Sequence, residues 1–147
     1  MIPIEMEELG LDQPCICSYV RKTDRYLSQF YDAYLAPAHL KTTPLSLLKG
    51  VIRNKDCSIT ELGKILLMDQ TTVTRNAAVL EKRGLLSIEK RSDDARQKIL
   101  KVTHQGLQKI KEATPYWRQA QQTLQDSLGK KQFDFLIQIL FSLQKKL

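Results

Sequence analysis

The sequence predicts a mainly helical domain that carries one small β-hairpin. Apolar residues return every three or four positions through most of the 147 residues, which is the spacing of amphipathic helices. Two short segments near the middle have helix-capping residues and lie about three residues apart, and one later stretch switches to the period of two that indicates strands. A chain of this length has the size of one domain, so we expect a single domain over residues 1–147.

Two prolines delimit the first predicted helix, which covers residues 14–36. Pro14 is tolerated in a first helical turn, and Pro37 ends the helix because proline cannot continue it. A second, short helix is predicted to begin near Pro44, with Thr43 as its N-cap. The apolar positions of the first helix are Ile16, Tyr19, Val20, Thr23, Leu27, Phe30, Tyr31 and Tyr34.

Two capped helices follow and predict a helix-turn-helix. Residues 58–61 read Ser-Ile-Thr-Glu, in which the serine and the glutamate can each accept a hydrogen bond from an unpaired amide of the first turn. Asp69 is placed to cap the next helix, which runs from Gln70 to Arg83 and stops at Gly84, a residue favoured just past a helix end.

A β-hairpin and two C-terminal helices complete the prediction. Alternating residues at 86–90 and 99–102 flank a segment rich in turn formers, residues 92–96. Thr103 caps a long helix that Pro115 is expected to bend or break and that Gly129 ends. The apolar stripe of the last helix consists of Phe133, Leu136, Ile137, Leu140 and Leu143.

The net charge points to an anionic partner. The 23 basic and 16 acidic residues give a formal net charge of +7 and a pI near 9.4. The excess is uneven, because residues 1–43 hold more acids than bases, whereas residues 75–101 hold eight bases against four acids. Positive charge that is concentrated around a helix-turn-helix is typical of nucleic-acid binding.

The outer face of the second capped helix has the side chains that read DNA bases. Arginine can bind guanine with two hydrogen bonds, glutamine can bind adenine, and threonine offers a hydroxyl and a methyl group. Lysines and arginines of the hairpin suit phosphates, and an arginine near its tip suits a narrow minor groove. The predicted DNA-contacting residues are Ser58, Gln70, Thr71, Thr72, Thr74, Arg75, Arg91, Arg96 and Lys98.

These segments resemble the winged helix-turn-helix of the MarR family of bacterial transcription regulators. The similar stretches are Ser58–Leu62, Met68–Arg75 and Leu80–Leu85, together with a wing pattern at Asp94–Thr103. The resemblance implies a homodimeric regulator, usually a repressor, that reads a palindromic operator in double-stranded DNA.

Under this resemblance each part of the chain has an expected role. Residues 14–36 and 104–147 would form the dimerisation region, and residues 44–103 the DNA-binding lobe. The second capped helix, residues 70–83, would be the recognition helix and would enter the major groove. Arg96 would enter the minor groove. The periodicity of the terminal helices alone is equally compatible with a core inside one chain.

Two kinds of effector are candidates for releasing such a regulator from DNA. Family members that sense organic peroxides have a reactive cysteine at the start of the first helix and a tyrosine four residues later, and Cys15 and Tyr19 match that spacing, with Cys17 nearby. Thiols that simply pack in an interface are the alternative. A small aromatic ligand is the other candidate effector, with a pocket near Tyr26, Phe30 and Trp117, although such aromatics are more often core.

The sequence supports other classes of protein less well. His39 and His104 lie far apart and no zinc-type spacing occurs, so we expect neither a metal nor another cofactor. A thiol enzyme would need a histidine near Cys15, but His39 is expected roughly 30 Å away along the helix, so we expect no enzyme activity. A winged helix used only for protein contacts is the other alternative. It predicts intact function after alanine substitution of Thr72, Arg75 or Arg96.

The location expected from the sequence is the cytoplasm. No apolar run approaches the roughly 20 residues that span a bilayer, so no membrane partner is expected. Three cysteines are too few for a disulfide framework, which favours a reducing compartment.

Overall fold

A computed structural model describes residue 7 and residues 9–55, 57–91 and 97–146. This part of the chain contains six α-helices, one short 3₁₀ helix and a two-stranded antiparallel sheet, which confirms the predicted mainly helical fold with one hairpin. The helices are α1 (Ile16–Leu35), α2 (Thr42–Arg53), α3 (Ile59–Leu66), α4 (Gln70–Lys82), α5 (His104–Leu128) and α6 (Lys130–Lys146), the strands are β1 (Leu86–Lys90) and β2 (Lys98–Val102), and Ala36–Ala38 form the 3₁₀ helix.

The core lies mainly between the helices α2, α3 and α4 and the hairpin. Leu48, Leu62, Val73, Leu80 and Leu100 are completely buried, so each of these elements contributes at least one side chain to a single cluster. The carbonyl oxygen of the neighbouring Cys57 accepts a hydrogen bond from the Leu100 amide at 2.9 Å, which attaches the start of α3 to the hairpin.

The start of α2 differs from the sequence-based prediction. The helix begins at Thr42, two residues before Pro44, and Lys41 rather than Thr43 is its N-cap residue. The reason is a contact from another helix, because Asp32 Oδ1 of α1 accepts hydrogen bonds from both the amide and the hydroxyl of Thr42, each at 2.7 Å. This carboxylate satisfies a helix-end amide that the sequence around Pro44 leaves without a local cap.

Helix α5 is not broken at Pro115, which was one of the two effects expected of this residue. The helix continues from His104 to Leu128 with the proline inside and exposed. The hydroxyl of Thr114 donates to the carbonyl oxygen of Ile110 at 2.7 Å in the turn where the proline removes a backbone donor. Thr103 and Gly129 delimit the helix as the sequence predicts.

The terminal helices leave much apolar surface uncovered. Helix α1 packs along α5 through hydrogen bonds from Tyr31 to Gln121 and between Tyr34 and Thr123. Helix α6 has no buried residue, and its Phe135, Ile137 and Phe141 side chains remain 61%, 54% and 56% exposed. Among the described residues, no helix is long and apolar enough to cross a bilayer.

Candidate nucleic-acid interface

The N-terminus of α4 is held rigidly by its cap. Asp69 Oδ1 accepts the Thr72 amide at 2.8 Å, and Asp69 Oδ2 accepts the Thr72 hydroxyl at 2.6 Å. These two hydrogen bonds, the hydroxyl first, lower the pKa of the Asp69 carboxyl, so the cap stays ionised. Thr72, predicted to read bases, therefore uses its hydroxyl proton to fix the start of its own helix.

Three predicted base-reading side chains stand free on the surface of α4. Gln70, Thr71 and Arg75 are exposed and make no side-chain hydrogen bond or ion pair with any described residue. Thr74 is also exposed, but its hydroxyl donates to the Gln70 carbonyl oxygen at 2.7 Å and leaves mainly its methyl group for a partner. An exposed helix end with an amide, a hydroxyl and a guanidinium can form hydrogen bonds with base edges in a major groove.

Ser58 lies at the junction of the helix-turn-helix and the hairpin. Its hydroxyl accepts the Glu61 amide at 3.1 Å, and its own amide donates to Glu61 Oε2 at 2.7 Å, which confirms the predicted capping box. The hydrogen bond from the Ser58 amide, followed by the interaction with the Ser58 hydroxyl, lowers the pKa of the Glu61 carboxyl. A bridge with Ile99 pairs Ser58 with β2. Ser58 thus positions α3 relative to the hairpin.

A cavity of about 370 Å³ opens between these elements on the surface that carries the predicted DNA contacts. The cavity lies between the capping box of α3, the first residue of α4 and the start of β2. Its lining is polar except for one isoleucine. Its lining residues are Ser58, Ile59, Thr60, Glu61, Gln70, Gln97 and Lys98. The structure therefore gathers Ser58, Gln70 and Lys98 around one opening.

The hairpin contributes further basic side chains. Arg91 is exposed and pairs with Gln97 through its backbone amide at 2.9 Å and through Nη1 at 3.2 Å, which closes the base of the loop. Lys98 is exposed at the start of β2. Lys101 instead forms an ion pair with Glu89 at 2.9 Å. Arg96, predicted for the minor groove, lies outside the described residues.

The predicted thiol site is at the start of α1. Cys15 is the N-cap residue with extended backbone (φ −86°, ψ 110°), and Cys17 lies inside the helix, so the helix begins two residues later than predicted. Both thiols are exposed. Tyr19 lies one turn along, since its amide donates to the Cys15 carbonyl oxygen at 3.1 Å, and its ring is 64% exposed.

The predicted pocket aromatics have different surroundings in the described part of the chain. Tyr26 is exposed, and Phe30 packs against Tyr31 and Tyr34 on α1. Trp117 instead lines a separate cavity of about 280 Å³ between α2, α3 and α5. Within that cavity the Nζ of Lys49 lies 4.0 Å from the centroid of the indole ring.

Sequence reasoning missed the positive charge of this second cavity. Arg53 also lines it, and Arg118 is close enough to repel Lys49. Burial, followed by these two guanidinium groups, lowers the pKa of Lys49. In the described part of the chain none of the three forms an ion pair with a carboxylate. The four-residue spacing of Lys49 and Arg53 was a visible signal for a shared helix face.

Comparisons with known proteins find similarity in the segment that contains the capped helices and part of the hairpin. The family model described as MarR family matches residues 40–97, which include the helix-turn-helix and the first hairpin strand. Across the solved structures the fold match extends to the terminal helices. This middle part of the chain, residues 40–97, is therefore similar to the MarR family. No curated protein matches the chain at a comparable significance.

The similar solved structures include DNA-binding transcriptional regulators. MosR of M. tuberculosis, solved in complex with DNA, is 28% identical with a TM-score of 0.75, and the match covers 91% of this chain and 100% of MosR. The repressor CouR, bound to a 23-mer duplex, is 21% identical with a TM-score of 0.82 over 97% and 99%. BpsR of Bordetella bronchiseptica, whose DNA binding is regulated by 6-hydroxynicotinic acid, is 19% identical with a TM-score of 0.79 over 88% and 98%.

Proposed function

We propose that this protein is a MarR-family regulator, a homodimeric repressor that binds a palindromic operator in double-stranded DNA. The observation that carries the proposal is the capped N-terminus of α4, which presents Gln70, Thr71 and Arg75 without side-chain partners among the described residues. Polar side chains without partners at the start of the second helix of a helix-turn-helix are placed to reach base edges. The DNA complexes of MosR and CouR support the same use of the fold.

The basic hairpin supplies the second part of the proposed interface. Lys98 begins β2 and Arg91 directly follows β1, so both lie close in sequence to Arg96. Cations in this position bind phosphates and fix the register of the recognition helix without reading sequence. Arg96 is proposed to enter the minor groove, as the family resemblance implies.

Dimerisation is proposed to occur through α1 and α6. Ile16 and Val20 of α1 and Ile137, Ile139 and Phe141 of α6 are all at least 40% exposed within one chain. Large apolar side chains exposed on two helices are typical of an interaction surface, and a second copy would bury them. The pairing of two chains would also place two recognition helices on one operator.

A small aromatic carboxylic acid is the effector that the second cavity favours. The Lys49 ammonium and the Arg53 guanidinium offer two donors to a carboxylate, and Trp117 and Leu45 offer apolar surface to a ring. An anion would offset the burial and the repulsion by Arg53 and Arg118 that together lower the pKa of Lys49. The regulation of BpsR by 6-hydroxynicotinic acid is consistent with an effector of this class.

Oxidation of the thiols at the start of α1 is the alternative route of release. The thiolate of Cys15 would attack an organic hydroperoxide, taking one oxygen as a sulfenic acid and releasing an alcohol. The thiol of Cys17 would then displace the hydroxyl group from that sulfur, which forms the disulfide and releases water. The observation favouring this route is that both thiols are exposed and that only Cys17 belongs to the helix, so the bond would disrupt only the first helical turn.

One experiment separates these proposals. Genomic DNA fragments are selected with the wild-type protein, and the recovered duplex is titrated alone, with benzoate and with an organic hydroperoxide. We expect a palindromic duplex that is released by one of the two effectors, and Cys15→Ser is expected to abolish release only if the hydroperoxide acts. Failure to recover any enriched duplex would contradict the DNA-binding proposal.

A further inference from the structure

The turn that joins α1 to α2, residues 36–41, is held by side chains from two other helices. Arg83, the C-cap residue of α4, donates from Nη2 to the carbonyl oxygen of His39 at 2.7 Å. Lys109 of α5 donates from Nζ to the carbonyl oxygen of Ala38 at 3.3 Å. Two adjacent carbonyl groups of one turn therefore connect the recognition helix with a helix of the predicted dimerisation region.

The conformation of this turn needs such support. His39 has left-handed backbone angles (φ 50°, ψ 39°), which a residue with a side chain adopts at a cost in free energy. On either side of it, Ala38 is fully buried and Leu40 is 2% exposed, so the turn cannot shift without disturbing the core. The two cationic donors thus bind a segment that is itself fixed in place.

The position of Arg83 separates it from the predicted base-reading residues. Helix α4 has 13 residues and spans about 20 Å, so Arg83 and Gln70 lie at opposite ends of it. Its charge adds to the positive excess of residues 75–101, which by itself suggests a DNA contact. Its hydrogen bond instead directs the guanidinium toward the α1–α2 turn.

We propose that Arg83 is a positioning residue that sets the orientation of the recognition helix relative to α1 and α5, and that it does not contact DNA. A dimer must place its two recognition helices about 34–36 Å apart, so the angle between α4 and the dimerisation helices determines how well both fit one operator. This inference rests on the proposed operator binding and concerns a residue outside the reading surface.

The test measures how affinity for the selected operator duplex depends on salt. Arg83→Met removes the hydrogen bond, and we expect about tenfold weaker binding. The slope of log affinity against log salt concentration should stay at the wild-type value, because no phosphate contact is lost. Arg83→Lys should recover part of the affinity, since an ammonium group can donate to the same carbonyl oxygen. Lys82→Met is the matched control, because it removes a charge from the same turn without touching residues 36–41.

Two results would overturn the positioning role. A slope that falls by about 0.9 for each lost contact would show that Arg83 binds phosphate directly. Unchanged affinity of Arg83→Met would show that the hydrogen bond does not matter for binding. Lys109→Met tests the same turn from α5 and is expected to weaken binding at unchanged slope, so the inference stays testable if Arg83→Met does not fold. Failure of the wild-type protein to bind any duplex would instead overturn the proposed function.

Discussion

Gly106, in the first turn of α5, lies against the backbone of Leu85, three residues past the end of α4. A Cβ atom at this position would lie 2.1 Å from the carbonyl oxygen of Leu85 and 2.8 Å from Cγ1 of Val102. The first distance is far inside the roughly 3.5 Å of an optimal non-bonded contact. Because the nearest atom belongs to the backbone, Gly106→Ala must push α5 away from Leu85.

The expected loss of stability combines three contributions. The alanine gains about 1 kcal/mol of helix propensity. The overlap costs about 1–3 kcal/mol, with the upper half of that range expected for a backbone clash. The same Leu85 carbonyl oxygen accepts the Thr103 amide at 3.2 Å, and weakening that bond costs about 1 kcal/mol more. The net expectation for Gly106→Ala is a destabilisation of about 2–3 kcal/mol.

Thermal unfolding at a fixed protein concentration measures this loss. For a chain of this size each kcal/mol lowers the Tm by about 2–4 °C, so Gly106→Ala should unfold roughly 4–12 °C below the wild type. Gly129→Ala is a comparison without a steric clash, because its Cβ would meet nothing within 4 Å and only its backbone angles (φ 77°, ψ 145°) oppose it. Any loss there, about 1–3 kcal/mol, measures backbone strain alone. A Gly106→Ala protein as stable as the wild type would refute the packing argument.

Three further outcomes are expected. Lys49→Met should abolish release from DNA by benzoate without lowering operator affinity. If the variant is still released at the benzoate concentration that releases the wild type, the proposal that the effector binds in this cavity is wrong. Ile137→Glu should yield folded monomers in sedimentation, since this side chain is 54% exposed in one chain; an intact dimer would contradict the α6 interface. Asp69→Asn should flatten acid unfolding, because the pKa of Asp69 is lowered on folding, so its stabilisation is complete above the ordinary value of 3.8 and lost as the pH falls through the folded value. An equally steep loss in the Asn variant would contradict that assignment.

The helix-turn-helix was predictable because its signals are local. The capping box at Ser58 and the Asp69 cap each join residues three positions apart, and both hydrogen-bond patterns form as the spacing indicates. The start of α2 was not predictable in the same way, because its cap is Asp32 in another helix. The proximity of Lys49 to Trp117 was missed for the same reason, since only packing of α2 on α5 brings the two together.

The candidate interface was predicted in composition but not in detail. Sequence spacing placed Gln70, Thr71 and Arg75 on an exposed face, and the structure leaves them there. The spacing could not show that the Thr72 hydroxyl is used by its own cap, or that Arg83 contacts the α1–α2 turn. Both depend on side-chain conformations that a periodic pattern does not determine.

The most direct test of base reading by α4 compares the wild type with Arg75→Ala on the selected operator and on its single-base-pair variants at one salt concentration. If Arg75 reads a base, the variant loses about 1–3 kcal/mol of specific binding and stops discriminating at one symmetric pair of positions. If Arg75→Ala keeps full affinity and full discrimination at every position, the proposed role of this helix surface is wrong.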